Sequence, residues 1–156
     1  MTVLPSSSVV IHWFRRDLRW DDNRALHAAL SSGHKVLPLF IFDDNILQHL
    51  EDRQDARVTF LHHRVSDLKK EAQAKSSDIY VAHGKPKEVL MELIAQLDVR
   101  GIYANEDYEP YALERDGLLA KALNTQDIPM HTFKDHVIKA PGEVLKPDGK
   151  PYTVFT

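Results

Sequence analysis

The chain of 156 residues contains no cysteine, which excludes a disulfide framework, a thiol nucleophile and a Cys-based zinc site. Long hydrophobic runs are missing too. The longest, Val36 to Phe42, falls far short of the ~20 residues that a membrane-spanning helix needs. There is no excess of positive charge: a net charge of −3 and a pI near 6.3 argue against a domain that grips nucleic acid by itself. The six glycines form neither Gly-x-Gly-x-x-Gly nor Gly-x4-Gly-Lys-Ser/Thr, so the usual dinucleotide and phosphate-loop fingerprints are absent. Gly84-Lys85-Pro86-Lys87 is only a faint echo of a phosphate loop, because its proline removes an N–H donor. The nine histidines show no HExxH-type spacing, and adjacent His62 and His63 would point about 100° apart on a helix, so no metal site is expected. Met1 to Ser8 lacks the basic start and apolar core of a signal peptide. A cytoplasmic location with no membrane partner is expected.

What is present begins with a short apolar run, Val9 to Phe14, that reads as a buried strand. Arg15, Arg16, Asp17, Arg19, Asp21 and Asp22 follow it at once, before an Ala/Leu-rich helix. Isolated charges cannot enter a core. These six should form a salt-linked loop at the carboxyl end of the strand, where open α/β sheets hold their ligands.

Further β-rich runs recur at Val36–Phe42, Ile79–Ala82, Ile102–Ala104 and Met130–Phe133. Helical patterns lie between them. Asn23–Ser31 stops before Gly33, with Asp22 and Asn23 as its expected cap. Gln54–Lys75 carries Val58, Leu61, Val65, Leu68 and Ala72 at the spacing of one buried face. Pro86 and Pro110 open two more helices as first-turn prolines; Leu118, Leu119, Ala122 and Leu123 should face inward on the last. Strands alternating with helices predict βαβ crossovers and a doubly wound, Rossmann-like parallel sheet of five strands with helices on both faces. After Phe133 the pattern breaks down. The expected organisation is a flexible N-terminus over 1–8, an α/β domain over 9–135 and the start of a linker over 136–156.

Trp13-Phe14-Arg15-Arg16-Asp17-Leu18-Arg19, with Asp22-Asn23 and Ala25-Leu26, resembles the opening of the DNA photolyase and cryptochrome family. Val36–Phe42 with Asp43, Tyr108-Glu109-Pro110-Tyr111 with Arg115-Asp116, and Gly149-Lys150-Pro151-Tyr152 through Thr156 are similar to later segments of the same family. The resemblance implies an N-terminal α/β domain with strand order 3-2-1-4-5 that holds a light-harvesting antenna chromophore. A C-terminal helical domain beyond this sequence would hold FAD, bind damaged DNA and split pyrimidine dimers by light-driven electron transfer. This chain alone would then be inactive, and its partners would be that helical domain and, through it, DNA. The exposed apolar tail would also favour weak self-association.

With that order, the strand order reverses between the first and fourth strands, and both exits are densely charged. A ligand crevice is expected between them. Candidate chromophore contacts are Phe14, Arg15, Arg16, Asp43, Asp107 and Glu109, of which Asp107 and Glu109 resemble the segment used by deazaflavin-binding members. The alternative for any one arginine is simple pairing with Asp17, Asp21 or the acidic loop, and for Glu109 a favourable helix start. Trp13 and Phe14 should pack on the first helix; Trp20 could be a ring platform or part of a docking face. Folate-binding members carry Asn-Glu where this chain has Tyr111-Ala112, so a deazaflavin-type or FMN antenna is expected ahead of folate. A cryptochrome light receptor remains an alternative, as does a stand-alone nucleotide-binding module, which would need the glycine loop that is absent.

Overall fold

The computed structural model describes residues 8–52, 55–140 and 142–152. Most of the expected flexible N-terminus, Gln54 at the expected helix start, and the Thr153–Thr156 end of the tail lie outside the described residues. The elements are β1 (Val9–Phe14), α1 (Arg24–Leu30), β2 (Lys35–Asp43), α2 (Asp44–Leu47), α3 (Ala56–Gln73), β3 (Tyr80–Gly84), α4 (Pro86–Gln96), β4 (Val99–Asn105), α5 (Pro110–Asn124) and β5 (Met130–Phe133). All strand pairs are parallel and the order is β3-β2-β1-β4-β5, a doubly wound α/β sheet.

Strand alternation divides the core. Ile11, Trp13, Leu39, Ile41 and Ile102 pack under α4 and α5 with Leu90, Leu93, Leu119 and Leu123. Phe14, Phe40 and Ile79 pack on the other face with Leu26 of α1 and Val65 of α3. Trp13 therefore does not join Phe14 against α1, because neighbouring residues of a strand point to opposite faces. Trp20 is half-buried. It stands edge-on to Phe14 at 5.1 Å, and its indole N–H donates to the Leu68 carbonyl at 3.3 Å, sealing that second cluster. Leu118 is exposed, against expectation, while Leu119 and Leu123, one turn apart, carry the buried stripe of α5.

Two strands run past their apolar runs. β4 begins at Val99, and a register shift opposite Val9 and Val10 leaves Arg100 as the extra residue of a bulge, which hid this start from the hydrophobic pattern. β2 tolerates Pro38 in a central strand because β3 pairs only from Leu39 onward. The short α2 was not foreseen; the Asp43 side chain nucleates it by accepting the Asn45 N–H at 2.9 Å.

His12 lies fully buried in β1, edge-on to Phe14 at 4.3 Å, and neither ring nitrogen has a hydrogen-bond partner. Burial pushes its pKa down to about 4; the Asp17 charge and the Tyr103 backbone oppose this and lose. The neutral imidazole is thus the folded form, whereas the unfolded chain takes up a proton near the ordinary value of 6.5. Between those two values the unfolded state binds more protons, so stability falls as pH falls, by up to about 3 kcal/mol. Urea midpoints at pH 7 and pH 4.5 should converge in His12→Leu relative to the parent. An unchanged pH dependence in that variant would refute the assignment.

Candidate functional site

The carboxyl ends of β1, β2 and β4 open into one concave cavity of about 510 Å³. Its apolar walls come from Trp13 and Phe14 of β1, Phe40 and Phe42 of β2, Ile46 and Leu47 of α2, Leu61 of α3 and Ala112 of α5. The polar residues are Arg15 and Arg16 beyond β1, Asp43 at the end of β2, Asp107 and Glu109 beyond β4, Arg57 of α3, and Tyr111 and Arg115 of α5. All six residues singled out in the sequence line this single cavity. Its volume is within the range of small-molecule sites, as is its mix of apolar walls and a few converging polar groups.

A buried polar knot holds the two strand exits in place. The Asp17 carboxylate accepts the Arg15 backbone N–H at 2.8 Å, the Asn23 amide at 3.0 Å and the Asn105 amide at 2.6 Å. Asn105 also donates to the Asn23 carbonyl oxygen at 2.9 Å and accepts the Ala25 N–H at 3.0 Å. Asn23 in turn caps α1 by accepting the Leu26 N–H, while Asp22 does not cap but takes a left-handed φ of 49°. This knot ties β1, β4 and the start of α1 together. It also fills part of the crevice expected between β1 and β4, so the open volume reaches toward β2, α2 and α3.

The arginines pair at long range, not with Asp21. Arg15, buried, donates to Asp116 of α5 and to the Asn105 carbonyl. Arg16 bridges to Asp107 at 3.1 Å and Glu109 at 3.4 Å, and the Asp107 charge raises its guanidinium pKa. Arg19 meets Asp135 at 2.7 Å. Glu109 occupies the cap position of α5 without bonding it, so its carboxylate serves Arg16.

Tyr111, Asp43 and Arg115 form the far wall. The Tyr111 hydroxyl donates to Asp43 at 2.6 Å and accepts from the Asn45 amide at 3.1 Å. Burial, assisted by that carboxylate, raises the phenol pKa, so Tyr111 remains a neutral donor. The Arg115 guanidinium lies 4.8 Å from the Trp13 ring centroid and 5.6 Å from that of Tyr111, with Asp43 at 3.9 Å. Its Nη2 forms an ion pair with Asp116 at 2.9 Å without hydrogen-bond alignment, and Arg15 Nε is buried without a hydrogen-bond partner. Buried donors are rarely left unpaired in folded proteins. The cavity's aromatic walls and few polar groups suit a ligand with a flat apolar body and hydrogen-bonding edges.

A sequence model of the DNA photolyase family matches residues 10–156. The chain belongs to the DNA photolyase family. Similarity to individual photolyases runs the same way. The deoxyribodipyrimidine photo-lyase of Synechococcus is 35% identical over 146 residues, covering 94% of this chain and 30% of the relative. A class III photolyase from Agrobacterium tumefaciens superposes with a TM-score of 0.85 at 26% identity, over 100% of this chain and 32% of that one. The archaeal photolyase from Sulfolobus tokodaii, solved with two FAD molecules and implying a novel light-harvesting cofactor, gives 0.74 at 30% identity, over 84% and 30%. The chain thus spans about 30% of the length of this curated photolyase. Among its described residues no helix is long and apolar enough to cross a membrane.

For this photolyase-family domain, the candidate residues read from the sequence did not include the cavity-lining Tyr111, Arg115, Arg57, Leu61 and the α2 pair Ile46 and Leu47. Tyr111 and Arg115 carried a usable signal. They are four residues apart in the first turns of a helix that starts at a strand exit, which places both on one face. The α2 residues carried none, because a four-residue helix has no periodicity to read.

Proposed function

We propose that this chain is the antenna-chromophore-binding domain of a DNA photolyase, and that the cavity above β1, β2 and β4 holds a flavin- or deazaflavin-type ring. The observation that carries this reading is the cavity of about 510 Å³ at the carboxyl ends of β1, β2 and β4, with aromatic walls and a few converging charged groups. Phe14, Phe40 and Phe42 offer the ring apolar faces. Arg115 supplies hydrogen-bond donors for its carbonyl edge, and Asp107 and Glu109 can accept from a ring N–H with charge assistance. When bound, such a ring absorbs light and passes excitation through space to a second flavin. The protein residues position the ring and exclude water from it.

In the longer protein, a helical FAD domain would meet the exposed apolar surface of Val137, Ile138, Val144 and Leu145. That assembly would bind cyclobutane pyrimidine dimers in DNA and repair them under blue light, with the domain boundary falling in the segment 136–156. The protein as its host makes it should release, on denaturation, a flavin or deazaflavin distinguishable by absorbance and mass from catalytic FAD. A folate as the only second pigment would overturn the ring assignment. Blue-light photochemistry without dimer repair would favour a signalling cryptochrome.

A further inference from the structure

The helix that carries Arg115 and Asp116 on its inner side turns an apolar, gapped face to solvent. On α5, Leu113, Glu114, Gly117, Leu118 and Lys121 are all exposed and recur at three- and four-residue steps, so they form one stripe. Leu113 and Leu118 have 59% and 54% of their surface open. The neighbouring α4 packs into the same core cluster and behaves otherwise. It turns Lys87, Glu88, Glu92 and Gln96 outward and keeps Leu90 and Leu93 inside. Single exposed leucines are ordinary on a protein surface, but these two flank a glycine.

A glycine in the middle of a helix costs stability relative to alanine, because the unfolded chain has more freedom to lose. Nothing within the chain requires Gly117, since a Cβ built there meets no atom within 4 Å. What the glycine leaves is a gap on the surface. Glu114, Gly117, Leu118 and Lys121 stand at i, i+3, i+4 and i+7, the four positions that frame a hole for a knob from a facing helix. The ion pairs of α5 are made by Arg115 and Asp116, and neither Glu114 nor Lys121 has one among the described residues. These two opposite charges lie roughly 10 Å apart along the helix, too far to meet each other.

Their midpoint falls between Gly117 and Leu118, and that selects the occupant. A second α5 laid antiparallel on a twofold axis through this point brings its Lys121 against Glu114 and its Glu114 against Lys121. Each Leu118 then sits over the other helix's Gly117. We propose that this face is the contact between two copies of this chain, joined as a symmetric antiparallel pair of α5 helices. The gap lets the helix axes approach closely, and opposed dipoles and two exposed ion pairs add to the apolar contact. A parallel pair would instead set Glu114 against Glu114 and Lys121 against Lys121. The contact uses the side of α5 turned away from the cavity, so Tyr111 and Arg115 keep their places. One helix pair is smaller than a standard interface, so the dimer is weak, half-formed at about 0.1–1 mM.

Sedimentation equilibrium of the protein as its host makes it, from about 10 µM to about 2 mM, reads the pairing directly. Gly117→Gln fills the gap and should weaken the dimer about 10-fold or more. Because glutamine is the better helix former, the same change should raise the melting temperature of the dilute protein by about 2–4 °C. A gain in stability with a loss of association separates an interface role from a folding defect. Glu114→Lys and Lys121→Glu set like charges across the contact, so each should weaken pairing about 10-fold at low salt. An equimolar mixture of those two variants should regain it, and added salt should shrink the difference. A parent that stays monomeric at the highest concentration overturns the proposal. So does a dimer that survives all three variants, which places the contact elsewhere, such as the apolar segment around Ile138. If Lys121 is shielded from an amine-reactive label at every dilution, another part of the longer protein covers α5 within one molecule, and the proposal falls.

Discussion

Asn105→Ala should destabilise the domain by about 3 kcal/mol, a fall in melting temperature of roughly 6–12 °C for a chain of this size. The Asn105 side chain donates to Asp17 and Asn23 and accepts the Ala25 N–H, all within 2.6 to 3.0 Å. Alanine removes these bonds and leaves the nearly inaccessible Asp17 carboxylate and the Ala25 N–H each short of a partner. Stranding a buried polar group costs about 1–3 kcal/mol, more when it is charged. Asn105→Asp provides the complementary result: it keeps the shape but brings a second carboxylate against Asp17, so its loss should be larger at pH 7 and partly relieved as the pH is lowered toward 4. Thermal melts of both variants at the two pH values check this. A shift below about 2 °C for alanine would mean the knot contributes little to the fold.

The second large effect concerns the pigment. Arg115→Met should reduce retained chromophore about 10- to 100-fold, the loss expected for a hydrogen bond from a buried cation. The fold should survive, because Asp116 keeps Arg15 as a partner and Asp43 keeps the Tyr111 hydroxyl and the Asn45 N–H. Methionine preserves most of the hydrophobic contact with Trp13 while removing all five donors. Lysine at the same position keeps the charge without the planar fork, so its loss should fall between the two. The measurement is pigment absorbance per mole of purified protein, with an unchanged circular dichroism spectrum as control. Full pigment occupancy in the methionine variant would remove Arg115 from the site.

Much of the architecture was legible in the chain. The strands at Val9–Phe14 and Met130–Phe133 match their apolar runs residue for residue, and both first-turn prolines open helices as expected. The six charged residues crowded after β1 did mark the end of the sheet where the cavity opens. Their partners were another matter. Of the expected counter-ions, the acidic loop takes Arg16, Asp21 takes no arginine among the described contacts, and Arg15 reaches Asp116, 101 positions away. Trp13 and Phe14 were read together, yet they serve different faces of the sheet. The knot of Asp17, Asn23 and Asn105 left no trace in the spacing, because its members come from a loop, a helix cap and a strand end.

The sequence by itself determined the main elements and their alternation, since helical and strand periodicity, caps and first-turn prolines are local properties of neighbouring residues, and its motifs carried the resemblance to the family. Only the tertiary structure decided which charges pair and where the cavity opens. Each parallel crossover brings together residues tens of positions apart, and their meeting depends on strand register and helix packing, not on anything written in adjacent letters.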